Sequence, residues 1–192
     1  MPTRVMRGFS LIEILVALTI LAIGLLGTLA MQLATLRASR ASVHESTALQ
    51  LASEIAEQLQ NHARNAESIA QYLQVDLDTS TASVNRTVTP SCFGIEAHCS
   101  ASELVSFDIQ QWRSVIGSRL PGGRLRICRD ASPWQKSTQL VRWACDDNAV
   151  STDSVWIKLG WHSGRPGDDT DQANSPQLIL PLVLLPLDGT TP

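Results

Sequence analysis

Four groups of residues in this chain have types and spacings that could do chemistry. Gly8 and Phe9 follow Arg4 and Arg7 and open a long apolar run, and Glu13 sits just inside that run. Cys92, Cys99, Cys128 and Cys145 all lie downstream of it. His44, His62, His98 and His162 are scattered, while Asp168, Asp169 and Asp171 share a Gly/Pro/Ser-rich stretch. The carboxylate is the most informative. An acidic side chain in hydrocarbon is disfavoured by up to about 3 kcal/mol at the centre of a spanning helix and less near its edge. Such a group is expected to serve a function and to meet a partner.

The cysteines are even in number and follow an apolar segment, which points to disulfides made in an oxidising compartment. Zinc would require tighter spacing than Cys92-x6-Cys99 and Cys128-x16-Cys145, with His98 a lone neighbour of Cys99. No metal or cofactor is expected. Four cysteines allow three connectivities. The expected one is Cys92–Cys99, closing a short loop, with Cys128–Cys145 joining two sheet segments. The aspartates lack the Gly-x5-Glu completion of a calcium loop and read as a solvated turn. No Ser or Cys has a nucleophile setting, so the chain is not expected to be an enzyme.

The elements that position these groups begin with the apolar run. Residues 14–36 are uncharged, and about 23 helical residues rise roughly 34 Å, enough for a bilayer core of about 30 Å. An ordinary anchor would have no use for Glu13. A secretory signal peptide would exclude it and would end in a small-x-small cleavage site, which is absent here. Arg4 and Arg7 before the span are balanced by Arg37 and Arg40 after it, so flanking charge does not set orientation. Oxidised cysteines do: they place the C-terminal part in the periplasm. A net charge of −3 without Lys/Arg runs gives nothing for nucleic acid to bind.

Helical patterning continues from Ala30 to Gln74 without Pro or Gly. Ala52, Ile55, Ala56, Leu59, Ala63, Ala66, Ala70 and Leu73 form a narrow stripe at three- and four-residue steps. One helix from Phe9 to Leu73 would be about 100 Å long, too long for a globule of this size, so its first half is expected to protrude. Gly24 and Gly27 interrupt it, each at up to about 1 kcal/mol relative to Ala, and are read as helix-packing positions. Residues 76–100 read as an irregular connection. Ser100-x-x-Glu103 and Asp108-x-x-Gln111 both resemble capping boxes for a short helix closed by Leu120-Pro121-Gly122-Gly123. Four strands are then expected at 124–130, 140–145, 155–162 and 178–185, the last an edge strand because of Pro181 and Pro186. The expected fold class is α+β: a long N-terminal helix packed on a small antiparallel sheet. The five Trp residues are expected to pack in the core or on the sheet.

The segment Arg7-Gly8-Phe9-Ser10-Leu11-Ile12-Glu13 resembles the processing site of class III signal peptides in type IV prepilins and pseudopilins. That resemblance implies cleavage between Gly8 and Phe9 by the membrane prepilin peptidase, and N-methylation of Phe9. It also implies pairing of Glu13 with the Phe9 ammonium of a neighbouring subunit, which sets assembly register. The expected organisation is a leader at 1–8, a membrane and assembly helix at 9–36, its amphipathic continuation at 37–75, and a head at 76–192. The anchor from Ile14 to Gly27, Asp108-x3-Trp112, Leu120-Pro-Gly-Gly and the strand ending in Trp161 are similar to PilV-type minor pilins. Members of that group are low-abundance, non-enzymatic subunits that prime pilus assembly near the tip and support twitching motility, adhesion and DNA uptake. The implied partners are other minor pilins, the major pilin, the prepilin peptidase and the inner-membrane assembly platform. Two alternatives remain: a type II secretion pseudopilin, and a single-pass membrane sensor or adhesin that keeps its leader.

Overall fold

The computed structural model describes residues 10–80, 92–94, 97–137, 139–146, 148–162 and 175–184. Its elements are α1 (Leu11–Asn61), α2 (Ala66–Tyr72), β1 (Asp76–Asp78), α3 (Ala101–Arg119), β2 (Arg124–Arg129), β3 (Val155–Gly160) and β4 (Leu178–Leu182). The chain divides into two units, residues 1–43 and 44–192. In the first, residues 10–43 are all exposed and, from Leu11 on, all helical.

The second unit holds the core. Its four strands run antiparallel in the order β1-β2-β3-β4. One row of paired leucines, Leu77, Leu125, Leu159 and Leu178, crosses all four. Ile127 and Ile157 pair beside it. This period-two face shares one core with Leu51, Ile55 and Leu59 of α1 and with Val105, Trp112 and Ile116 of α3. The α+β architecture expected from the sequence is therefore present, with the proline-bearing β4 at the sheet edge.

Four local readings are corrected. The helix does not continue to Leu73. It ends at Asn61 and restarts at Ala66, because the Asn65 side chain caps the new start, accepting from the Glu67 and Ser68 N–H groups at 3.0 and 3.1 Å. An Asn offering its own oxygen to backbone N–H groups competes with the continuing helix. The break re-phases the stripe, so Ser68, Ile69 and Tyr72 are buried while Ala66 and Ala70 are exposed.

Residues 140–145 are not a strand. Val141 makes one bridge to Trp134, and the stretches 130–137 and 139–146 instead cross the sheet's outer face as a strap. The fourth strand is β1, inside the stretch read as irregular; three residues are too few for periodicity to show. Of the two capping boxes, the one at Ser100 forms, with Glu103 answering in both directions. Asp108 lies inside α3 and is used elsewhere.

Candidate functional site

Gly8 and Phe9 lie outside the described residues, as do Asp168, Asp169, Asp171 and Pro186. Glu13 lies in the first turn of α1, where its N–H bonds the Ser10 carbonyl at 3.0 Å. A carboxylate at that end is favoured by the unpaired N–H groups and helix dipole. It stands among exposed Leu11, Ile12, Ile14, Leu15 and Val16. α1 is long and apolar enough to cross a membrane by length and composition.

Three threonine hydroxyls along this stretch are already satisfied. The hydroxyls of Thr19, Thr28 and Thr35 donate to the carbonyls of Val16, Leu25 and Gln32 at 2.8, 2.9 and 2.8 Å. Hydroxyls returned to their own helix remove the need for water, which suits an apolar surrounding. Gly24 and Gly27 face open space, so no contact among the described residues explains their missing side chains.

The second unit carries two polar clusters that position its elements. The first joins the end of α1 and α2 to α3. Tyr72, fully buried, donates its hydroxyl to Asp108 Oδ2 in a short hydrogen bond, and Trp112 Nε1 donates to Gln58 Oε1 at 2.7 Å. The Tyr72 ring lies 5.4 Å from that of Trp112 and 5.6 Å from His62, whose Nε2 is 3.8 Å from Asp108 Oδ2. Burial, then the bond to Asp108 and its charge, push the Tyr72 hydroxyl far above its ordinary pKa.

The second cluster lies under the strap. Lys158, on the outer face of β3, donates to Asp130 Oδ2 at 2.6 Å and to the carbonyls of Arg142 and Ala144 at 3.0 and 3.1 Å. Asp130 Oδ1 accepts from Ser132 N at 3.0 Å and Arg142 Nη2 at 3.2 Å. Burial pushes the Asp130 carboxyl up. The Lys158 bond, the Ser132 N–H, and the charges of Lys158 and Arg142 outweigh it and hold the group below its ordinary value. Burial, helped by the charges of Arg142 and Arg126, holds the Lys158 ammonium below its ordinary value, although Asp130 raises it. Three oxygens matched to its three N–H donors keep it charged.

Trp143 lies 4.5 Å over the Arg124 guanidinium, and a Cβ on Gly160 would meet the Trp143 ring at 2.7 Å. Only glycine lets the strap approach this closely. Cys128 and Cys145 are disulfide-bonded and fasten the strap to β2; Cys92 and Cys99 are bonded to each other. Lys158 drew no attention in the sequence, because a charged residue in an alternating strand reads as solvent-facing. The available signal was its place between Trp156 and Gly160, in a strand with little else that is polar.

Among the described residues no group of three His, Cys, Asp or Glu is placed to hold a metal ion. Trp112 packs in the core, whereas Trp134 is exposed, contrary to the expectation for all five tryptophans. The sites together describe an apolar helical element and a braced head, with no gathered set of reactive groups among the described residues.

Comparison with protein families gives two matches. Residues 3–29 match the prokaryotic N-terminal methylation motif, and residues 30–110 match the family described as Tt1218-like, type IV pilin Tt1218. No curated protein and no solved structure matches the chain.

Proposed function

This chain is a type IV pilin-like protein, and from that premise we propose that it is a minor subunit of a type IV pilus, held in the inner membrane before assembly. The observation that carries the reading is the methylation-motif match over 3–29, continued by a helix whose residues to Val43 are all exposed. Fully burying a Leu or Ile side chain is worth about 1.5–3 kcal/mol, so such a surface belongs in lipid first and among neighbouring subunits afterwards.

In this reading prepilin peptidase cuts between Gly8 and Phe9 on the cytoplasmic side and methylates the new amine of Phe9. Gly8, without a side chain, lets the peptide enter a tight protease site. The Phe9 ammonium of one subunit then meets Glu13 of the next. Desolvation offsets most of the attraction, so the pair adds little stability. It sets register instead, because a carboxylate left alone in an apolar filament core is strongly disfavoured. α1 spans the membrane once, and the disulfide-bearing head stands in the periplasm.

The minor-pilin assignment rests on the similarity of Asp108-x3-Trp112 and Leu120-Pro-Gly-Gly to PilV-type subunits. These residues brace the head. Asp108 holds Tyr72 and Trp112 holds Gln58. Gly122, at φ 57°, turns the chain beneath the His162 ring, where a Cβ would collide. The neighbours would be other minor pilins and the major pilin on the assembly platform, with roles in pilus biogenesis, twitching motility, adhesion or DNA uptake.

Intact mass of the membrane-extracted protein tests the processing: residues 1–8 should be missing and one methyl added to Phe9. Retention of Arg4 and Arg7 would overturn it in favour of a simple membrane sensor or adhesin. Quantitation in sheared filaments tests the minor role, with trace amounts expected and loss of surface pili on deletion. A deletion strain that keeps its pili but fails to export proteins would instead identify a secretion pseudopilin.

A further inference from the structure

The two sulfurs of the Cys128–Cys145 bond differ in the properties that govern thiol exchange. Cys128 lies on β2 beneath the strap and is 6% exposed, whereas Cys145 lies on the strap and is only partly buried. Arg126 Nε donates to Cys145 Sγ at 2.9 Å. Arg126 also pairs with Asp76, but Asp76 is shared with Arg124. Two guanidinium groups thus face one carboxylate, and positive charge is left beside the sulfur. Asp78 accepts from the Ser80 N–H and hydroxyl, and Asp146 from the Asn148 N–H; these neutral donors leave both carboxylates charged, but it is the Arg126 guanidinium that contacts the sulfur. On the other side Asp130 is taken by Lys158 and Arg142. A cation against a sulfur favours thiolate over thiol, and the thiolate is the form that attacks disulfides.

The strap is held independently of the sulfur–sulfur bond. Lys158 grips the Arg142 and Ala144 carbonyls, the second immediately before Cys145, and Trp143 lies on Arg124. These contacts do not depend on the disulfide and would keep Cys145 beside Arg126 when it is open.

We propose that Cys145 is the thiol-exchange site of this protein, the sulfur through which a dithiol/disulfide oxidoreductase makes and repairs the Cys128–Cys145 bond. On oxidation, the Cys145 thiolate attacks one sulfur of the oxidoreductase disulfide and releases its other sulfur as thiolate. Cys128 then gives its proton to solvent and attacks Cys145 Sγ. The mixed disulfide breaks and the oxidoreductase departs as a dithiol carrying the two electrons. Repair runs the same steps backward, with attack on Cys145 Sγ and Cys128 leaving. Cys128 itself is too deeply covered for a protein partner to reach.

The test uses the full-length chain in detergent, with glutathione disulfide as the probe. Cys128→Ala leaves Cys145 single, and Cys145→Ala leaves Cys128 single. Formation of the glutathione adduct, followed by mass across a pH series, should be about tenfold faster for Cys145 at neutral pH, with a profile centred below the ordinary thiol value of about 8.5. Arg126→Gln should move that profile upward, and Arg126→Lys should restore much of the shift. As a check that needs no cysteine variant, the wild-type protein is partly reduced, pulse-alkylated and mapped; within this pair Cys145 should be labelled first. Equal adduct rates, a profile indifferent to Arg126, or earlier labelling of Cys128 would each overturn the proposal.

Discussion

Lys158 Nζ lies 2.6 Å from Asp130 Oδ2, and neither side chain has exposed surface. The pair sits on the sheet face opposite the leucine row and ties the strap to β3. Burying two charges is unfavourable unless geometry and further hydrogen bonds compensate. Here the ammonium has three acceptors, and the carboxylate also has Ser132 and Arg142. Its value lies less in raw stability than in fixing where the strap crosses. That position decides whether Cys145 reaches Cys128.

Removing one partner strands the other. Lys158→Met should cost about 3–5 kcal/mol in urea unfolding at neutral pH, and pairing it with Asp130→Asn should recover much of that loss. The folded-state pKa of Asp130 is depressed, so its contribution is complete above the unfolded value of about 3.9 and is lost as pH falls through the folded value. Asp130→Asn should flatten the acid limb of the stability profile. An unchanged acid limb would contradict the ionised assignment.

Tyr72 is the chain's 1 tyrosine, so phenolate absorbance reports on it alone. Its pKa is raised in the folded state, by burial first and Asp108 second. The stability this gives is present below the unfolded value of about 10 and declines as pH rises beyond it. Phenolate absorbance should therefore appear only together with loss of the circular dichroism signal. A separate, earlier titration would show the hydroxyl to be accessible. Tyr72→Phe should destabilise by about 1–3 kcal/mol, since Asp108 stays buried without its donor.

Asn65→Ala should remove the cap of α2 and cost about 0.5–2 kcal/mol, read from the denaturation midpoint. Asn65→Asp should be nearly neutral, because a carboxylate oxygen can accept the same two N–H groups. Loss of equal size in both variants would assign Asn65 some other role.

Gly160→Ala places a methyl where the Trp143 ring lies. The strap must shift, at about 1–3 kcal/mol, and Trp143 fluorescence should change. Identical stability and emission would mean that the strap yields freely.

Glu13→Val should leave leader removal, membrane insertion and the head's unfolding midpoint unchanged. Incorporation into sheared filaments should fall by about tenfold or more, because a neighbour's amine would then be buried without its counter-charge. Normal incorporation would remove Glu13 from any assembly role.

Some elements could be read from the chain alone because their signals are local and long. α1 follows from an uninterrupted apolar run, α3 from the Ser100 capping box and its four-residue spacing, and β3 from strict alternation. Others depended on a few residues winning a competition. Asn65 outbid the alanine stripe for the helix phase. β1, at three residues, becomes a strand only because β2 offers it a ladder. The 140–145 segment had the composition of a strand, yet its Arg142 and Ala144 carbonyls are taken by the Lys158 ammonium, and Val141 makes one bridge, to Trp134.

By itself the sequence determined the apolar N-terminal helix, the acid placed within it, and the α+β class, since periodicity and solvent preference act along neighbouring residues. Only the tertiary structure decided that Lys158 is buried, that Tyr72 and Asp108 brace the helices, and that Arg126 lies against Cys145. Those outcomes depend on which distant groups share a space shut off from water, where an unpaired charge is strongly disfavoured.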